Sequence, residues 1–176
     1  MSKLAINCGS GQRPFESVFP EIRWINVDKV SREGSVPDIR CDGAHLPYED
    51  AMADYFVLHH VLEHFGCGEA QGLIAEAYRV LKPGGSLLVF VPNMRALAIQ
   101  WLEGNMDTQN YMTNVYGAFM GNEEDRHKWG YDPVSLTLFL FQDDARFSKI
   151  KPFDWREIPG SSFARDWWIL GRECVK

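Results

Sequence analysis

The chain has 176 residues, with 18 Lys plus Arg against 24 Asp plus Glu and a formal net charge of −6, which argues against the broad phosphate-neutralising surface of a nucleic-acid binder. At this length a core buries roughly 70% of the surface that the unfolded chain exposes, so the span 1–176 is expected to be one domain that folds without staples. Cys8, Cys41, Cys67 and Cys174 contain no C-x-x-C pair, which suggests neither a zinc ribbon nor a disulfide framework and points to a reducing, cytoplasmic setting.

Met1-Ser2-Lys3 leads into Leu4-Ala5-Ile6, too short an apolar stretch for a secretion signal, and the longest later apolar run, Leu87 to Val91, is far below membrane-spanning length. Lys3 to Asn7 reads as the first strand and runs into Asn7-Cys8-Gly9-Ser10-Gly11. Glycines at a strand-to-helix turn let the backbone approach a ligand closely, and an acidic residue about 20 positions on accepts ribose hydroxyls. Asp28 stands nineteen positions past Gly9, closing the second strand, Arg23 to Asp28. A dinucleotide fingerprint needs a third glycine, but G-x-G-x-x-G places Pro14 there when it starts at Gly9 and Gln12 when it starts at Asn7. The loop therefore suits a nucleoside cofactor without phosphates.

Pro14 to Phe19 reads as a helix, Pro37 to Cys41, Ala53 to His59 and Ser86 to Val91 as further strands. These runs are short and mostly apolar on both parities, as in a parallel sheet covered on both faces. Gly68 to Leu81 is the best-defined helix, with Leu73, Ile74, Ala77, Val80 and Leu81 in one stripe; Lys82-Pro83-Gly84-Gly85 is expected to stop it and turn the chain into the next strand. Met94 to Glu103 is a further helix. From Gly104 to Gly130 the regular pattern lapses, and a lid or substrate segment is expected at about 104–130. Pro133 to Gln142 is apolar and helix-compatible. Phe147 to Phe153 and Arg165 to Arg172, separated by Pro159-Gly160-Ser161-Ser162, look like an antiparallel closing pair.

In this order of elements the chain resembles class I S-adenosylmethionine-dependent methyltransferases, and more narrowly a group of short predicted methyltransferases. The carriers are Leu4 to Pro14 (LAINCGSGQRP), Trp24 to Asp28 (WINVD), Cys41 to Tyr48 (CDGAHLPY), His60 to His64 (HVLEH), Arg79 to Gly85 (RVLKPGG) and Val91 to Asn93 (VPN), with His127 to Tyr131 (HKWGY) similar to a string in the narrower group. The resemblance implies a Rossmann-like, doubly wound α/β domain with a mainly parallel seven-stranded sheet and an antiparallel last hairpin. It implies S-adenosyl-L-methionine as cofactor, with Asn7, Cys8, Gly9 and Gly11 forming the cradle, Asp28 on the ribose, Asp42 on the adenine amino group, Gly43 beside that ring and His59 at the methionyl end. Asn7 departs from the family's more usual glycine, and asparagine tolerates unusual backbone angles better than most residues.

Methyl transfer from a sulfonium needs alignment and exclusion of water more than a catalytic triad. Where the acceptor must lose a proton, histidine suits neutral pH; His127 is the first candidate base, with His60 and His59 next, and a purely lid-ordering role for His127 stands beside the catalytic one. His60-Val61-Leu62-Glu63-His64 also matches the zinc-hydrolase pattern H-x-x-E-H. That chemistry needs a third protein ligand and a long helix, which Phe65-Gly66-Cys67-Gly68 interrupts, so no metal is expected; Val61 and Leu62 should pack on the sheet while the polar residues line the cleft mouth. Trp101, Tyr111, Tyr116, Phe119 and Trp129 are expected to wall a hydrophobic acceptor pocket, and Trp155, Trp167 and Trp168 to serve packing or an interface. The amino-methylating DNA branch carries [DNS]-P-P-[FYW] where this chain has Leu58-His59-His60-Val61, and a Pro-Cys nucleophile for cytosine is absent. The acceptor is then a small molecule, a sugar or glycan precursor, or a protein side chain. A non-catalytic cofactor-binding subunit and a nicotinamide oxidoreductase are the rival readings.

Overall fold

A computed structural model of the chain describes residues 2–11, 15, 21–31, 35–118, 123–142, 147–157 and 169–176. They form β1 (Lys3–Cys8), β2 (Ile22–Asp28), β3 (Ile39–Arg40), β4 (Ala53–His59), α1 (Cys67–Val80), β5 (Leu81–Pro92), α2 (Met94–Leu102), α3 (Thr108–Tyr116), α4 (Pro133–Gln142), β6 (Lys149–Pro152) and β7 (Ile169–Val175). One sheet of seven strands runs β3-β2-β1-β4-β5-β7-β6. The first five are parallel, while β7 lies antiparallel to both β5 and β6, as expected for the α/β class read from the sequence. The expected Pro14 to Phe19 helix, Phe119, Trp167 and Trp168 lie outside the described residues, Phe15 excepted.

The period of two along the central strands divides the core into two layers. Ile6, Cys8, Phe56, Leu58, Leu87, Val89 and Val91 pack on one face with Leu73, Ile74 and Ala77 of α1 and Leu136 and Leu140 of α4. The alternate residues Ala5, Val57, Leu88 and Phe90 pack on the other, with Phe15 and Trp24. The carboxyl-terminal strand is tied in by two cations that use carbonyls rather than carboxylates. Buried Arg172 donates to the carbonyls of Gly171 and Pro133 and to Thr137 Oγ1, joining β7 to α4, and Lys176 Nζ donates to the carbonyls of Tyr78 and Leu81 at the end of α1. Cations there also complement the helix dipole.

Four expectations are corrected. Lys82 to Gly85 does not separate helix from strand. Leu81 already pairs with Ala53, and the next pair is Ser86 with Tyr55, so the Pro-Gly-Gly stretch is an irregularity within the β4–β5 ladder. The segment 104–130 is not devoid of regular structure: α3 lies in it, with Asp107 accepting the Asn110 N–H at 2.9 Å as N-cap. No residue of α3 is buried, so it has no apolar stripe for a pattern to reveal. The third strand shrinks to Ile39–Arg40. The last strand runs on past Arg172 to Val175, because its register follows the β5 residues Ser86 to Pro92; Arg165 to Trp168 lie outside the described residues.

Gly171 sits where a Cβ would meet the Phe153 carbonyl oxygen and lie 2.8 Å from the Phe90 ring. Neither neighbour is the free end of a flexible side chain. Gly171→Ala should therefore destabilise the protein by about 3 kcal/mol through overpacking, read as a lower midpoint in urea unfolding at unchanged slope.

Candidate active site

The crevice of a doubly wound sheet opens at the carboxyl ends of the strands where the connections change direction, here between β1 and β4. At the end of β1 the chain enters the left-handed region at Gly9 (φ 76°) and again at Gly11 (φ 54°). The N–H groups of Gly9 and Ser10 both donate to the Val27 carbonyl at 2.8 and 3.1 Å. Gly9 has a second reason to lack a side chain, since a Cβ there would run into the Val61 methyl groups. Gly11 has no side chain within van der Waals distance of where its Cβ would be. Its N–H donates to Asp28 Oδ2 at 2.7 Å while Asp28 Oδ1 accepts from Val30 N–H at 2.8 Å, an Asx-type turn. A carboxylate offers about four acceptor positions, so Asp28 braces the loop and keeps capacity for a hydroxyl.

Asn7 lies wholly within β1, two residues before the left-handed turn, so it needs no unusual backbone angle. Its Nδ2 donates to Asn26 Oδ1 at 2.9 Å, within a buried network that includes Phe15 and Asp38. Gly43 closes the loop after β3 onto β1, for a Cβ there would stand 2.5 Å from Cys8 Sγ and 3.1 Å from Leu73 Cδ1. Burial raises the Cys8 thiol far above its ordinary range, so Cys8 acts as a small packing residue. Exposed Asp42 accepts the Ala44 N–H at 3.0 Å and retains free acceptor positions.

The opposite wall begins at His59, buried at the end of β4, with His60 in the left-handed region (φ 54°) and its ring 4.8 Å from that of His59. Positive φ is uncommon outside glycine, and it swings His60 out of the strand so that Nδ1 meets Glu63 Oε1 at 2.9 Å. Leu62–His64 is a 3-10 turn rather than part of a long helix, and Val61 and Leu62 are buried. Glu63, expected with the other polar residues of this motif at the cleft mouth, is instead buried at 1% exposed. Burial pushes its carboxyl up, but the hydrogen bond from His60 and the charges of His60 and His64 outweigh that and hold it below the ordinary range. The signal was present in the sequence, since the motif spaces His60 and Glu63 three apart.

The segment 123–129 is fastened to this wall. The N–H groups of Lys128 and Trp129 donate to the Glu63 carbonyl at 2.8 and 3.1 Å, and His127 N–H donates to the Tyr116 carbonyl at 3.0 Å. His127 Nδ1 lies 2.8 Å from the Asn114 carbonyl, and its ring stands edge-on to His64 at 4.8 Å. Gly117 (φ 88°) permits the fold-back, as a Cβ would strike the Asp125 carbonyl.

These walls enclose one cleft of about 1090 Å³. Asn7, Cys8, Gly9, Gly11, Asp28, Asp42, Gly43, His59, His60 and His127 all line it. Ser10 Oγ, buried in this lining, has no hydrogen-bond partner among the described residues. Among the described residues the expected aromatic wall is not formed: Trp101, Tyr116 and Trp129 are 39%, 56% and 52% exposed, and none of them, nor Tyr111, lines the cleft; Phe119 lies outside the described residues. Trp101 instead stacks on Tyr111 at 4.9 Å, with Nε1 donating to Thr108 Oγ1, joining α2 to α3. His59, His60, His64 and residues 123–128 also line the cleft.

The sheet order, the glycine turn at β1 and the acidic residue ending β2 define the class I S-adenosylmethionine-dependent methyltransferase fold. A family model described as a methyltransferase domain matches residues 21–89, from just before β2 into β5. Among solved structures it resembles a S-adenosylmethionine-dependent methyltransferase from Archaeoglobus fulgidus (TM-score 0.62, 14% identity, 99% of this chain and 86% of that one). It also resembles the 1,6-didemethyltoxoflavin-N1-methyltransferase of Burkholderia thailandensis, solved with 1,6-didemethyltoxoflavin and S-adenosylhomocysteine (0.61, 15%, 99% and 71%). A third is human N-acetylserotonin methyltransferase in complex with S-adenosylmethionine (0.59, 18%, 98% and 47%). No curated protein matches the chain by sequence. Among the described residues no helix is long and apolar enough to cross a membrane.

Burial holds the His127 imidazole below its ordinary 6.5 despite the nearby Glu63 carboxylate, with His64 adding to the lowering. Proton-linked stability then has a definite sign. The unfolded chain binds the His127 proton at higher pH than the folded one does, so stability is full above about 6.5 and falls as pH drops from there through the folded value. Heteronuclear NMR titration should show His127 neutral at pH 7 with a midpoint below 6.5, and His127→Ala should flatten the loss of stability in that window.

Proposed function

We propose that the chain transfers a methyl group from S-adenosylmethionine, by in-line displacement, to a small-molecule or sugar-precursor acceptor. The observation that carries this reading is the single cleft in which an adenosine-type cradle and a cluster of imidazoles face one space. At about 1090 Å³ it exceeds the roughly 300–1,000 Å³ of an ordinary single-ligand pocket, which suits a donor and an acceptor side by side. The residues fit the donor: Gly9 and Gly11 leave backbone bare, Asp28 and Asp42 offer acceptors to ribose hydroxyls and an amino group, and Ser10 supplies an unpaired hydroxyl. When bound, the cofactor supplies a methyl group on a sulfonium; the chain's own residues bind, orient and exclude water. At the other end His59 faces the methionyl part of the donor, His60 and His127 hold the acceptor, and neutral His127 suits acceptance of its proton.

The acceptor class is supported by the small substrate bound in the Burkholderia enzyme and by the chain's net charge of −6, which disfavours nucleic acid. The span 1–176 is taken as one domain with the lid at about 104–130, and the free thiols of Cys8, Cys41, Cys67 and Cys174 suit the cytoplasm. The rival of a non-catalytic subunit expects the lid to fill the cleft, whereas residues 123–128 border open space.

Calorimetry with S-adenosylhomocysteine tests the donor site. Wild-type protein should bind it, and Asp28→Ala should weaken binding by on the order of 1–3 kcal/mol through lost charge-assisted hydrogen bonds; unchanged affinity would remove Asp28 from the site. His127→Ala should leave that affinity unaltered while lowering turnover of any acceptor found by screening hydroxyl and amine compounds.

A further inference from the structure

At the wall of the cleft, Glu63 and its sequence neighbour His64 meet His127 from the segment 123–128. Ligating atoms of Glu63, His64 and His127 lie within 4.8 Å of one another. Tetrahedral ligands about 2.1 Å from a common ion stand about 3.4 Å apart, so small side-chain rotations close the set. The imidazoles are already in the tautomer that ligation needs. His64 Nδ1 faces the Arg126 carbonyl at 3.2 Å and His127 Nδ1 the Asn114 carbonyl at 2.8 Å. A carbonyl only accepts, so in the neutral ring each Nδ1 carries the proton and each Nε2 keeps its lone pair. Metal-bound histidines are oriented in this way by an outer carbonyl or carboxylate.

The independent observation is Glu63. His60 takes Oε1, but Oε2 is buried without a hydrogen-bond partner among the described residues, on a side chain only 1% exposed. A carboxylate oxygen taken out of water and left unpaired is costly, and a cation among Glu63, His64 and His127 satisfies it. His127 comes from the segment 123–128, sixty-three positions beyond His64, and the motif's first histidine, His60, pairs with Glu63 instead of joining the set. His127 is held there by the Lys128 and Trp129 N–H bonds to the Glu63 carbonyl.

We infer that Glu63, His64 and His127 form a site for one first-row divalent metal ion at the acceptor end of the cleft, and that an oxygen atom of the acceptor completes its coordination. Two imidazoles and one carboxylate suit Zn²⁺, Co²⁺ or Mn²⁺ and leave positions open. A hydroxyl on such an ion loses its proton to solvent more readily, which makes His127 a metal ligand in place of a base. The acceptor part of this inference rests on the methyl-transfer reading above; the metal site does not.

The full chain, stripped with chelator, is titrated with ZnCl2 by calorimetry and with CoCl2 by visible absorption. One equivalent of Zn²⁺ and a Co²⁺ spectrum of nitrogen and oxygen ligands are expected. His127→Ala and His64→Ala, both at partly exposed positions, should each weaken Zn²⁺ at least about ten-fold with an unchanged circular dichroism spectrum, and Glu63→Gln should do likewise. Wild-type affinity in both histidine variants, or thiolate charge-transfer bands placing the ion on a cysteine, overturns the site. Titrating S-adenosylhomocysteine into the same samples separates the two readings. Uptake of the thioether without zinc refutes the metal site alone, and uptake of zinc without the thioether supports the metal site and refutes the donor reading.

Discussion

The contact between Gly9 and Val61 is the constraint on which the site depends. β1 and β4 are neighbours with Cys8 opposite Leu58, so the segments leaving them emerge side by side. Only a residue without a Cβ lets Val61 pack over the first turn of the loop. That packing brings the His60–His64 segment against the glycine cradle and makes one cleft out of two strand ends. The left-handed backbone at Gly9 and at His60 serves the same junction, turning each chain out of the sheet directly after its last paired residue.

Glu63 is the second joint. Its backbone carbonyl anchors the lid through Lys128 and Trp129, and its side chain orients His60. A lid anchored at this point carries His127 into the cleft while α3, which contributes nothing to the core, rides outside on the Trp101–Tyr111 stack. The histidine-lined side of the cleft is therefore polar and imidazole-rich where aromatic residues were expected.

The elements legible from the sequence are those whose signal is local. The period and apolarity of β1, β2, β4 and β5, the stripe of α1 and the bounds of α4 all follow from side chains that meet the same core along their length. Gly9, Gly11 and Asp28 are legible because a left-handed turn and an acceptor at fixed spacing are properties of the chain itself. α3 was not legible because none of its side chains is buried, and the end of the last strand was placed short because its register is dictated by β5 rather than by its own pattern.

What the sequence by itself determined is the sheet class, the glycine turn, the acidic strand ends and the histidine-rich motif after β4, each set by backbone sterics or hydrophobic period within a short window. Only the tertiary structure decided that Glu63 is buried, that His127 stands beside His64, and that Tyr111, Tyr116 and Trp129 do not line the cleft. Those facts depend on which distant segment supplies a carbonyl or fills the space left by a missing Cβ, and no local window of residues carries that information.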